Sequence, residues 1–593
     1  MDSTSQICLQ QAIDTEIKSL EDYIRALKSR RNTLSPISSL PLEVFTSIFS
    51  FACLPGIPSP GKKPGYHPAR PYVSHVCHQW REIALNQPLL WNHVDFTTLS
   101  WAGATEMLVR SNSVPLYLKS RGSYHRWRDN QYCRLGKELQ AHILRICHLT
   151  LSATPTLLEC TLEELVSPAP TLECLSLSSR GEYQKLDVPN TLFNGHTPKL
   201  SCLELRNCNI NWKSPLLKGL EYLEIINPSM TPSLVVWLDV LNEMSQLKKL
   251  TLHPASPNSP PLPFNVERAV TLPSLTHLDF SASVGDCALT LAHLDLPVLT
   301  RLCLTVILHR DSCNVQGILP YVARHAHGPQ DMQPLQSLLI RNGSHNYLDI
   351  LAWPVPDIDI EVHDPPALLG VALPPRVALS FMRSYHGGHD NQPEILDAVM
   401  TALPLDGLVL LTAVYRGVGQ DSELDPSTPQ FWLRHSPKWP LLRRVRLGYY
   451  GERGFVAMLE ADGGREIPLL PSLTELVLIS AELSPRSTRC LCDALMRRVE
   501  QGAPLQRLDL RAFYRSHYDP ADLRLLTEIV VDVLAPASEI AFDLTADFDP
   551  EGFDAMAKEM NRMKLLWEDL IHGPFPFLED DDEDDDSEDE DGE

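Results

Sequence analysis

Basic charge is scarce in this 593-residue chain: 51 Lys and Arg stand against 75 Asp and Glu, for a formal net charge of −24. Such a balance disfavours binding to nucleic acid or to anionic lipid, so neither is an expected partner. No run of 18 apolar residues occurs, so no membrane span is expected. Met1-Asp2-Ser3-Thr4 has neither the basic nor the apolar opening of a secretory leader. The 14 cysteines are scattered and form no Cys-x-x-Cys pair. That usage fits reduced, mostly buried thiols in the cytoplasm or nucleus. Phosphate-loop, dinucleotide, zinc-protease and nucleophile-elbow motifs are all missing, so the expectation is a protein without catalytic residues or cofactor. His75, Cys77 and His78, and likewise Cys490 and Cys492, lack a second ligand pair, so no metal is expected either.

Glycine is also scarce relative to proline, 28 against 49, and the proline excess asks for a cause. The negative charge is partly localised. Between Glu579 and Glu593, 13 of 15 residues are acidic, leaving the rest of the chain only mildly acidic. A segment so charged is expected to be a disordered tail over 579–593. Within it, Ser587 followed by Glu588-Asp589-Glu590 looks like a site for an acidophilic kinase of the casein kinase II kind.

In residues 1–35, Ile13, Leu20, Leu27 and Leu34 fall seven apart with Ile17 and Ile24 interleaved, an a/d heptad seam ended by Pro36. A single amphipathic helix docked on the next domain and a homodimeric coiled coil both fit. Residues 36–96 read as two short helices. Pro41 sits at the first helix start, with Val44, Phe45, Ile48 and Phe49 at helical spacing after it. Val73, Val76, Cys77, Trp80 and Ile83 repeat that spacing. A Pro- and Gly-rich stretch over 54–71 reads as a flexible loop insertion. A unit this small cannot bury its apolar surface alone, which implies a partner in cis or in trans.

At these residues the sequence resembles the F-box family, through Leu40-Pro41-Leu42-Glu43-Val44 running on to Ile48-Phe49 and through Val73-x-x-Val76-Cys77-x-x-Trp80-Arg81. More narrowly it looks like the fungal F-box-like proteins, which carry a heptad helix first and a Pro-x-Leu-Trp afterwards, here Pro88-Leu89-Leu90-Trp91. The resemblance implies docking on the Skp-type adaptor of a cullin–RING ubiquitin ligase. Leu40, Pro41, Val44, Ile48, Phe49, Val73, Val76, Cys77 and Trp80 would be the adaptor-binding anchors.

From residue 97 the pattern Leu-x-x-Leu-x-Leu recurs, starting at Leu172, Leu200, Leu220, Leu247, Leu275, Leu299 and Leu335, and again at Leu442, Leu473 and Leu505. Spacings of 20 to 36 residues, with a gap between 335 and 442, are those of leucine-rich repeats. Leu200-x-x-Leu203-x-Leu205-x-x-Cys208-x-Ile210 matches the full consensus. Proline now has a place: Pro198, Pro273, Pro297, Pro334, Pro440, Pro471 and Pro504 each precede a repeat leucine by one or two residues, where an extended entry to the strand is expected. The expected fold class is α/β: an N-terminal helix and small all-α F-box unit, then an irregular leucine-rich-repeat solenoid over 97–545, parallel strands on its concave face and helices outside. A helical cap over 546–578 and the acidic tail follow. Helices starting at Pro520 and Pro550 are expected near the end.

Residues alternating with the leucines should point to the concave face. There the later repeats lean basic, through Arg444, Arg446, Arg507 and Arg511. They are the expected partner-binding residues for an unknown protein substrate that is acidic or phosphorylated. The leading expectation is thus a substrate-recruiting F-box subunit. The alternative is a non-ligase leucine-rich scaffold whose acidic tail binds basic proteins.

Overall fold

A computed structural model of the chain describes residues 3–53, 72–121, 129–180, 184–229, 233–253, 269–309, 314–328, 333–343, 347–358, 373–383, 392–415, 423–449, 451–461, 468–479, 485–510 and 520–534. The expected 54–71 loop, 546–578 cap and 579–593 tail, with Arg511 and Ser587, lie outside the described residues.

Three helices come first: α1 (Ser3–Thr33), α2 (Leu42–Cys53) and α3 (His78–Leu85). The strands begin with β1 (His93–Asp95), β2 (Leu116–Arg121), β3 (Ile146–Ala153), β4 (Cys174–Ser179), β5 (Leu186–Asp187), β6 (Cys202–Arg206) and β7 (Cys208–Asn209). They continue with β8 (Tyr222–Ile226), β9 (Lys249–His253), β10 (Val270–Thr271), β11 (His277–Ser283), β12 (Leu294–Asp295) and β13 (Arg301–Leu308). The last group is β14 (Ser337–Gly343), β15 (Tyr347–Trp353), β16 (Val377–Arg383), β17 (Leu410–Tyr415), β18 (Arg444–Tyr449), β19 (Glu475–Ile479), β20 (Arg507–Asp509) and β21 (Asp532–Leu534). Seventeen of these join one sheet, while β5–β7 and β10–β12 make two small parallel pairs.

The sheet follows the leucines. Each repeat places its second and third apolar residues on a strand, one residue apart, so both point to the same side. Parallel pairing then stacks like on like: Leu175, Leu203, Leu223, Leu250, Leu278 and Leu302 are register partners from β4 through β13. All six are buried in one continuous core with the helices packed beside the sheet. Stacking neighbours removes apolar area that no single repeat could bury, the term that drives such folds.

The prolines act differently from the sequence expectation. The N–H of Leu200, Leu275, Leu299, Leu442 and Leu473 donates to the carbonyl three residues back, on Thr197, Leu272, Leu296, Trp439 and Leu470. Proline is thus the second residue of a β-turn that closes on the buried leucine, where its fixed φ is favoured. The extended segment starts only after the turn.

Cys208, at the consensus Asn/Cys position, points inward and donates to Leu177 O at 3.7 Å and Arg206 O at 3.1 Å. Beside it Asn207, at φ 54°, donates to Ser179 O at 2.8 Å, and Asn227, at φ 57°, donates to Asn207 Oδ1. Asparagine tolerates this left-handed bend better than most residues.

The order breaks once. From β1 to β13 the large-sheet strands pair as parallel neighbours in chain order. The next neighbour of β13 is β16, not β14. β15 lies antiparallel between β16 and β14, and β14 then pairs in parallel with β17. From β17 to β21 the chain order resumes. The Leu335 repeat is therefore separated from the Leu299 repeat by two strands, a correction to the serial reading. The gap in the repeat pattern holds β15, β16 and β17, with helices Gln392–Ala402 and Pro429–His435. The helix expected at Pro520 is present over Pro520–Ile529.

Candidate docking surfaces

In the helical unit, Phe45 and Phe49 sit four apart on α2 and close on Trp80 of α3, with ring centroids 5.8 and 5.1 Å away. Trp91 donates from Nε1 to Ala84 O at 2.9 Å and is covered by the Arg110 guanidinium at 4.5 Å. Phe45, Phe49, Val73, Ala84, Leu90 and Trp91 belong to the same core as the leucine strands. The unit is therefore rooted on the sheet rather than free-standing.

This rooting sorts the expected anchors. Phe49 (0% exposed) and Val73 (8%) are interior residues packed on the core. Ile48, Cys77 and Trp80 are half-buried. Leu40, Pro41, Val44 and Val76 (59%) are exposed. The structure adds Leu42, Leu89 and above all Phe51, 77% exposed. Val44, Ile48 and Phe51 fall at i, i+4 and i+7, one stripe of α2. That spacing was the signal that could have found Phe51.

α1 carries its heptad seam in the open: Leu9, Ile13, Ile17, Leu20, Ile24 and Leu27 are all exposed. The expectation of a helix docked on the following domain is not met, since the described residues after α1 leave the seam uncovered.

On the sheet side opposite the leucines, strand register lines up a row of His93, Tyr117, His148, Cys174, Cys202, Tyr222, Lys249, His277 and Arg301. His93 stacks on Tyr117 at 4.4 Å and an interplanar angle of 2°, and Tyr117 lies 4.7 Å from His148. Burial lowers the pKa of both histidines, with His148 adding to the effect at His93 and Glu173 opposing it at His148. Cys174 and Cys202 share a hydrogen bond that raises the pKa of the first and lowers that of the second. Around them charges are matched: Ser176 donates to Glu204 at 2.9 Å, Arg206 bonds Glu224, and His253 bonds Asp279 at 2.8 Å.

Further along, the same face is covered. Trp353, at the end of β15, is fully buried with Cys303, Leu339, Leu351, Ile358 and Ala378 in a second, small core. Its Nε1 donates to Leu373 O at 2.9 Å. Arg444 donates to Asp357 Oδ1 at 2.8 Å and to Pro356 O at 2.9 Å, while Arg446 reaches Ile358 O at 3.4 Å. Arg507 lies 3.6 Å from Asp532. Three expected partner-binding arginines thus answer to their own chain, and Arg341 does the same through Asp349 at 2.6 Å.

Among the described residues, no group of three or more His, Cys, Asp or Glu side chains is placed to hold a metal ion. His75 and His78 are exposed, and Cys492 is buried. No described helix is long and apolar enough to cross a membrane. No protein-family model and no curated protein matches the chain.

Proposed function

We propose that the chain is a substrate-recruiting F-box subunit of a Skp–cullin–F-box type ubiquitin ligase, without catalytic residues of its own. In this reading α2, α3 and their flanking turns are the F-box unit, and the strand-and-helix repeats are a leucine-rich solenoid that holds a target protein. The supporting observation is the stripe of exposed Val44 and Phe51 with half-buried Ile48 between them, beside exposed Val76, on helices whose other side is anchored by Phe45, Phe49 and Trp80. Exposed apolar side chains on rigid helices are what a stable interface uses as central anchors. Transfer of ubiquitin is then a matter of proximity supplied by the other subunits. The α1 seam fits a second copy of the same helix, and the protein would work in the cytoplasm or nucleus.

Capture of the purified Skp adaptor by the full chain tests this. Phe51→Asp with Val76→Asp should weaken capture at least about a hundredfold, since each puts a charge into an apolar contact. Lack of capture by the unaltered chain would remove the proposal.

A further inference from the structure

A cavity of about 460 Å3 opens between β11, β13 and two proline-rich turns. Its lining among the described residues includes His277, Thr300, Arg301, Gln333, Pro375 and Arg376, with no Asp or Glu. In a chain of net charge −24 this is an unusual concentration of positive charge. Arg376 is 5% exposed and uses its Nη atoms on Gln333 O at 2.9 Å and His325 O at 3.1 Å. Its Nε has no hydrogen-bond partner among the described residues. Among the described residues Arg301 donates to Cys303 Sγ, at 3.3 Å. Among the described residues no carboxylate pairs with either guanidinium.

Nearby acids are occupied. Asp279 is bonded to His253, and Glu224 serves Arg206 and, at 3.8 Å, Lys249. Lys249, His277 and Arg301 occupy one register position on β9, β11 and β13. Their mutual effect is visible at His277, whose pKa is lowered by burial and then by Arg301 and Lys249. Removing charge from water without a counter-ion is unfavourable, and a guanidinium fork is the usual match for a phosphate or carboxylate.

We infer that this cavity is an oxyanion site that receives a phosphorylated or carboxylate side chain of the target protein. The inference rests on the reading that the repeats hold a target. It also moves the acidic-target expectation from Arg444, Arg446 and Arg507, which are engaged, to Arg301 and His277. The proline walls give the site a fixed shape, since each proline ring locks its own backbone angle.

Calorimetric titration of the full chain at low ionic strength tests it, using a phosphoserine peptide with uncharged flanks, its Glu and Ser versions, and inorganic phosphate. The phosphoserine peptide should bind and the Ser peptide should not. Arg301→Glu should weaken binding at least about tenfold, and Arg301→Lys should recover part of the loss. Arg206→Glu, on the same face three strands from β11, should leave binding within about twofold. Unchanged binding in Arg301→Glu would overturn the site, as would failure of every anion to bind. Inorganic phosphate binding as tightly as the peptide would overturn its assignment to a protein target. The same Arg301→Glu protein should still capture the adaptor. Capture lost from the unaltered chain with anion binding intact would sink the F-box reading alone.

Discussion

The two halves of the sheet's second face share one strand geometry and differ in what stands on it. From β1 to β11 the outward positions carry Tyr117, His148, Ser176, Glu204, Arg206, Glu224 and Lys249, and they stay partly exposed. From β13 to β17 the same face carries Cys303, Ala378, Leu351, Leu339 and Leu410, which are buried, while Thr305, Ser380 and Met382 farther along the strands stay open. A strand apolar on alternate positions leaves one face to solvent, whereas a strand apolar throughout must be covered twice. In β17 all six residues from Leu410 to Tyr415 are buried. The chain answers with its own segment, Trp353 to Ile358, laid on that face. One half of the face is thus left open, and the other is closed by the chain itself.

The largest effect should come from removing that cover. Trp353→Ala deletes the centre of the second core and should cost about 3–5 kcal/mol. Tyr117→Ala, an aromatic truncation of the open row, should cost about 1–2 kcal/mol, mostly the lost ring contacts with His93 and His148. Thermal unfolding of the two variants measures the difference. Equal losses would erase the distinction between the halves.

The sequence showed the open half better than the covered one. Leu-x-x-Leu-x-Leu marks each strand because the leucines at fixed spacing must share one face, and ten such strands are where the pattern places them. Proline's position was visible but its job was not, since a turn and an extended entry call for the same residue type. The detour through β14, β15 and β16 left no local mark. Strand order there is decided by pairings between distant segments, and Arg444 finds Asp357 across 87 residues. In the helical unit, spacing identified the helices but not which stripe faced inward. Phe45 and Phe49 face Trp80, while Phe51, two residues on, faces solvent. The anion cavity was invisible for the same reason, because His277, Arg301 and Arg376 meet through pairing and not through spacing.

Acid should act unequally on the two halves. His325 lies under β16, its Nε2 donating to Arg376 O at 3.2 Å, and burial lowers its pKa from 6.5 to about 4. As the pH falls below 6.5 the unfolded chain takes up the proton first, so stability is full above that pH and declines toward pH 4. The loss reaches roughly 3 kcal/mol at most. His325→Gln, which keeps a donor for the Arg376 carbonyl, should flatten the fall in urea midpoint between pH 7 and 5. His148→Gln should flatten it less, because His148 is half-exposed and Glu173 opposes the effect of burial there. Equal slopes in the two variants would mean that acid sensitivity lies elsewhere.

The smallest perturbation needs no mutation. Thiol reactivity depends on thiolate fraction and access together. Cys202 is favoured on both counts, since it is partly exposed on the open face and its pKa is lowered by the hydrogen bond with Cys174. Cys208 and Cys287 are buried on the core side, and burial pushes each thiol up to about 12. Iodoacetamide at pH 7.5 should therefore label Cys202 faster than Cys174, whose pKa the same hydrogen bond and burial raise, and spare Cys208 and Cys287 in the folded chain. Peptide mass spectrometry over a time course reads the order. If Cys208 were labelled as fast as Cys202, the core face would be opening as readily as the exposed one, and the contrast between an open face and a face that excludes solvent would fail at its most accessible point.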